Sequence, residues 1–158
     1  LLAIMKAAKK ADDSLLRDYA ETTVAVADIK IAVRSMKTGK NKDFMKRAMA
    51  ECNTLDIDRL ATAAVAGMEE IERYLADTAY AGGAEALSES ASAFERWCDN
   101  RIIETIKPQK YNPFTVGPIV AYILARLNEI KTVRIILTCK LNQLPEEAIR
   151  ERVREMYV

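Results

Sequence analysis

Residues 115–141, TVGPIVAYILARLNEIKTVRIILTCKL, constrain the fold more than any other stretch of this chain. Ile119, Ile123, Leu127, Ile130 and Leu137 recur at steps built from three and four residues. At about 100° per residue they line one face of an α-helix, flanked by Val120, Leu124 and Ile135. Ala125, Asn128, Glu129, Thr132 and Lys140 fall on the opposite side. Thr115 suits a helix cap, and Pro118 suits the first turn, where a missing N–H is no loss. The β-branched run around Val133, Ile135 and Ile136 is the one rival for a strand, but it stays in phase with the helix before it. So broad an apolar stripe predicts a long, central helix with neighbours on most sides.

Arg134 interrupts that stripe near its middle. An unpaired guanidinium buried there is destabilising by several kcal/mol. The expectation is a carboxylate partner, from a neighbouring helix or from another protein, or else a packed stem whose head reaches water.

Elsewhere the pattern is helical too. Asp12, Asp13 and Ser14 offer a cap, and Leu15, Tyr19, Val26, Ile29, Val33 and Met36 then share a face up to Gly39. A short helix is predicted over residues 43–52, with Phe44, Ala48, Met49 and Cys52 inward. Asp56 should cap another that runs to Gly67. Residues 68–80 read as a helix stopped by Gly82 and Gly83, and residues 84–106 as one long helix. Pro108 and Pro113 predict a rigid, extended connection. Pro145, Glu146 and Glu147 should open a last helix, with Ala148, Ile149, Val153 and Met156 inward. Residues 1–10 read as the tail of a helix. The chain opens without Met, which suggests a piece cut from something longer.

The expected fold is therefore an all-α multi-helix bundle, a single helical region over residues 1–158. An internal echo suggests it is built from repeated helical units. Asp28, Ile29 and Lys30 lead on to Thr38 and Lys40; about a hundred positions later, Glu129, Ile130 and Lys131 lead on to Thr138 and Lys140. Each passage is a long helix, a tight turn and a shorter helix, giving possible sub-repeats over residues 15–66 and 115–158.

The totals narrow the function. A net charge of +1 offers no nucleic-acid footprint. No run approaches the ~20 apolar residues of a membrane span, and there is no secretory signal. Cys52, Cys98 and Cys139 are too far apart for a metal site and read as buried small residues in a reducing compartment, most simply the cytosol. Histidine is absent, which removes the commonest general base and metal ligand. Thr38-Gly39-Lys40 lacks the rest of a phosphate loop and reads as a helix stop. The pairs Glu69-Glu70 and Glu146-Glu147 sit where solvated helix faces and helix dipoles place acids. No catalytic constellation emerges, and neither cofactor nor small-molecule substrate is expected.

One resemblance is carried by residues 117–152. Gly117-Pro118, Tyr122, Glu129-Ile130, Arg134, Lys140 and the run from Leu144 to Arg152 are similar to the carboxyl-terminal signature of the V/A-type ATP synthase C-subunit family, whose eukaryotic relative is the vacuolar ATPase d subunit. Asp28-Ile29-Lys30 through Arg34 resembles an earlier helical run of that family, and Phe94-Glu95-Arg96 its stretch before a Pro-rich connector. Cys139 stands where the family usually has Gly, Arg126 where Lys is common, and Asp28 where Asn is usual. The resemblance implies an all-helical, funnel-shaped, non-catalytic rotor subunit in the central stalk, lying peripherally on the cytoplasmic face of the membrane. Its implied partners are the central-shaft subunits and the membrane rotor ring. It implies no bound nucleotide and no ion carried, and, because members of the family are longer, that this chain is a carboxyl-terminal half. Tyr122, Glu129, Arg134, Lys140 and Arg34 are the motif positions expected to serve structure or interfaces. The alternative is a helical interaction scaffold unrelated to rotary ATPases.

Overall fold

Four helix starts are each set by one side-chain oxygen. Asp13 accepts from Leu16 N–H at 3.0 Å, and Asn41 from Phe44 N–H at 2.9 Å. Asp56 accepts from both Asp58 and Arg59 N–H, at 2.9 and 3.0 Å, and Ser90 from Ala93 N–H at 2.9 Å. A computed structural model describes residues 1–11 and 13–157; of the other capping candidates, Ser14 is the first helical residue and Asp12 lies outside the described residues. The elements are α1 (Leu2–Lys10), α2 (Ser14–Lys37), α3 (Lys42–Ala48), α4 (Ile57–Ala66), α5 (Met68–Ala76), α6 (Ala81–Glu89) and α7 (Ala91–Ile106). A 3-10 turn (Lys107–Tyr111), α8 (Gly117–Leu141) and α9 (Glu146–Arg152) complete the order. No strand occurs among the described residues, so the protein is all-α as its periodicity predicts.

The chain divides into two compact units, Leu1–Ser88 and Glu89–Val158. In the first, α2 is the axis, packed against α1, α3, α4 and α5. Ile29 of α2, Met45 of α3, Leu60 of α4 and Ile71 and Leu75 of α5 are fully buried and form its core. In the second, α7, the 3-10 turn, α8 and α9 pack together over Phe94, Cys98, Ile103, Ile106, Ala121 and Ile149.

Several boundaries differ from those read in the sequence, for identifiable reasons. α3 ends at Ala48, and Cys52 lies in the connection that follows. The amides that would prolong α3 are captured by two carboxylates of α2. Asp28 accepts from Ala50 N–H at 3.2 Å, and Glu21 accepts from Asn53 and Thr54 N–H at 2.5 and 2.7 Å. Met45 is the inward residue of α3, while Phe44 is exposed with Lys40 over its ring. Gly82 and Gly83 lie inside α6 and stop nothing; α5 has already ended at Ala76. The helix expected over residues 84–106 is broken at Ser90, whose hydroxyl caps α7. Pro108 sits in the first turn of a 3-10 segment rather than in extended chain. Pro145 caps α9, so Glu146 and Glu147 open it; Ile149 is inward, but Val153 and Met156 lie beyond its end and are exposed.

Because Asp56 satisfies two free amides of α4, its replacement by alanine should destabilise the protein by about 1–2 kcal/mol. A lowered melting temperature with unchanged helix content at 20 °C, roughly room temperature, is the expected observation.

Candidate interaction surface

The largest departure concerns α8. Its buried residues are Gly117, Ala121, Ala125, Asn128, Thr132 and Cys139. The expected core stripe is on the outside: Ile119 is 67% exposed, Leu127 57% and Leu137 55%, with Tyr122, Ile123, Ile130, Val133 and Leu141 similarly open. On a helix of about 3.6 residues per turn the two sets lie on opposite sides. The expectation that the broad stripe is enclosed within this chain is therefore corrected.

The cause is what the small side accepts. Beyond α9, residues 153–157 form no helix or strand, and polar groups of α7, the 3-10 turn and α8 hold them. Asn128 Nδ2 donates to Glu155 O at 2.8 Å, and Glu155 N–H donates to Asn100 Oδ1 at 2.9 Å. Lys107 Nζ pairs with the Glu155 carboxylate at 2.6 Å. Asp99 is the centre of the clamp. Its Oδ1 receives Lys131 Nζ at 2.6 Å, and its Oδ2 receives Arg154 Nε at 2.8 Å. Arg96 donates to Glu151 O at 2.6 Å, fixing the end of α9 to α7. Glycine and alanine let neighbouring backbone approach closely, while Asn128 satisfies a peptide group that leucine would leave unpaired. A large apolar face offers neither service, so it points away.

Arg134 accordingly stands exposed on the bare stripe, with no carboxylate partner among the described residues. The buried arginine of this unit is Arg154. Of the other motif positions, Tyr122 is 62% exposed, Lys140 is exposed, and Glu129 is half-buried and pairs with Arg126. These four share α8. Arg34 is exposed on α2, in the other unit, where its backbone carbonyl accepts from Thr38 Oγ1 at 2.9 Å. Sequence reasoning misses Asp99, Asn100 and Arg154 altogether. It finds Asn128 only as a polar residue of the supposed outer face. The available signal is a second periodic row, the small residues 117, 121, 125, 128 and 132.

The rest of the surface is chemically quiet. A groove of about 420 Å³ runs between α3, α4 and α5. Its charges answer one another: Lys46 and Lys42 meet Asp58, Arg73 meets Glu70, and Arg59 lies over Tyr74. Burial pushes the Cys52 thiol up, away from the thiolate form that a nucleophile needs. No cluster of metal-binding side chains is present among the described residues, and no described helix is long and apolar enough to cross a membrane.

The most prominent feature of this surface is the exposed apolar face of α8. The family model of the ATP synthase (C/AC39) subunit matches residues 1–152. The chain belongs to that family. A relative, the C subunit of the A-type ATP synthase of Methanocaldococcus jannaschii, is 27% identical over 148 residues, covering 88% of this chain. The chain spans 37% of that relative's length. No solved structure matches the chain significantly. Family membership sets aside the scaffold unrelated to rotary ATPases.

Proposed function

We propose that the chain is a non-catalytic part of the central stalk of a V/A-type rotary ATPase. In that role it couples the central shaft to the membrane ion-translocating ring and lies on the cytoplasmic face of the membrane. The family match across residues 1–152 carries the reading. The structure is in keeping with it. A torque-bearing adaptor needs stiff rods, and α2 and α8 are 24 and 25 residues long. It needs exposed binding faces, and α8 presents one. It needs no reacting group.

The test is affinity capture of the tagged chain from detergent-solubilised membranes of its own host. Shaft and ring subunits should co-purify, and the purified chain should turn over no ATP. Capture that yields neither shaft nor ring would overturn the proposal, as would ATP hydrolysis by the chain alone.

A further inference from the structure

Residues 49–56, between α3 and α4, form neither helix nor strand. Side chains of neighbouring helices hold this connection. The Ala50 amide donates to Asp28, those of Asn53 and Thr54 to Glu21, and that of Asp56 to the Tyr74 hydroxyl. The two anchors on α2 differ in their surroundings. Glu21 is half-buried and uses both oxygens: Oε1 accepts from the Asn53 and Thr54 amides, and Oε2 from Asn53 Nδ2 at 3.3 Å. Asp28 is completely buried; Oδ1 serves Ala50 at 3.2 Å, and Oδ2 has no hydrogen-bond partner among the described residues.

A protonated carboxyl tolerates that position. A carboxylate there leaves a charged oxygen dry and unpaired, which is far more costly. The surroundings do little to offset the charge. α3, α4 and α5 contribute Met45, Leu60, Ala61, Ala64, Ile71 and Leu75 to the buried core, none of which ionises. The connection brings the Cys52 thiol and α2 brings Glu21, and these add only negative charge. Ahead of α1, the amino group of Leu1 gives the smallest of the pulls that oppose burial.

An ionised Asp28 is relieved by water, and the elements around it differ in what water would have to break. The helices are closed by their own backbone ladders. The start of the connection is pinned at Ala50 by the carboxyl that ionises. Beside it a cleft of about 300 Å³, lined by Met5, Lys9, Glu51, Cys52 and Leu55 among others, leaves room for movement. We propose that Asp28 is a pH-operated latch on the connection between α3 and α4: protonated, it holds residues 49–52 closed; ionised, it releases them to admit water, with the Glu21 anchor at Asn53 and Thr54 as the pivot. This is a local opening, distinct from unfolding of residues 1–88, and it does not depend on the stalk assignment. The closed latch binds its proton more tightly than the open one. Opening is therefore least below about pH 4, rises by up to about tenfold per pH unit up to about pH 7, and levels off above.

The test is native-state hydrogen exchange of the full 158-residue chain at about pH 5 and about pH 8, read as protection factors so that the intrinsic pH dependence of exchange cancels. Ala50 should lose at least about tenfold of its protection between the two. Low denaturant should leave the Ala50 rate unchanged, because a local opening exposes little surface, while Leu60 and Ile71 should exchange through a rarer, denaturant-sensitive unfolding. Asp28→Asn should flatten the Ala50 pH profile. Glu21→Ala should lower Thr54 protection and leave the pH dependence at Ala50 in place. Ala50 matching Leu60 and Ile71 in rate and denaturant sensitivity would overturn the latch, since only unfolding of the whole unit would then titrate. Ala50 protection that does not change with pH in the native chain would overturn it without any variant. An Asp28→Asn profile parallel to the native one, or a flat Ala50 profile in Glu21→Ala, would overturn it as well.

Discussion

Replacing Asp28 by asparagine should remove most of the pH dependence of stability of residues 1–88 and stabilise them above neutral pH. Asp28 is completely buried. Its Oδ1 accepts from Ala50 N–H, but Oδ2 has no partner. Burial disfavours the charged carboxylate and pushes its pKa up to about 7, against the smaller opposing pull of the Ala50 hydrogen bond. The folded pKa lies above the unfolded one. The stability that goes with the protonated group is therefore fully present below about pH 4 and is lost as pH rises through about 7. Each pH unit between those values removes about 1.4 kcal/mol, so the whole loss approaches about 4 kcal/mol. Asparagine keeps the acceptor for Ala50 and has nothing to ionise. Denaturant midpoints at pH 5 and pH 8 should therefore differ widely for the native chain and little for Asp28→Asn. Parallel pH profiles for the two would show that this carboxyl does not govern the dependence.

The second large effect is expected at Asp99. Asp99→Ala leaves Arg154, only 7% exposed, without its carboxylate and also frees Lys131. Breaking a buried pair from one side should cost about 3 kcal/mol, at the low end for such pairs because the nearby terminal segment can peel off and hydrate the guanidinium. The Glu155 amide, now bonded to Asn100, should lose its protection from hydrogen exchange. Lys131→Ala should cost about 1 kcal/mol or less, since that lysine is half-exposed. Combining Asp99→Leu with Arg154→Met should recover part of the loss, because two apolar groups strand no charge. Unchanged Glu155 protection in Asp99→Ala would refute the clamp.

Asp28 and Asp99 also show where reading from sequence reaches its limit. Asp28 lies within a run of apolar α2 positions, so its presence near the core was visible. That it would divert the Ala50 amide and shorten α3 was not, because acceptor and donor are 22 residues apart. The partners Asp99 and Arg154 are 55 residues apart, and no spacing rule joins them. Capping by Asp56 and the stop at Gly39 were legible, since donor and acceptor there lie within a few residues. Ser90 escapes a reading by apolar periodicity, which runs through it without a break.

The candidate surface was half legible. Of residues 115–141, Gly117–Leu141 form the long helix that the periodicity requires, with Pro118 in its first turn and Val116 rather than Thr115 at the cap position. Their apolar stripe is where the spacing puts it. Sequence periodicity determines that a helix has two unlike sides, because side-chain direction follows from the roughly 100° step between neighbours. It does not determine which side the chain itself covers. Tertiary structure decided that, through the peptide groups of Glu155, which needed Asn128 and Asn100 as hydrogen-bond partners and small residues for close approach. That left the greasy side of α8 facing outward.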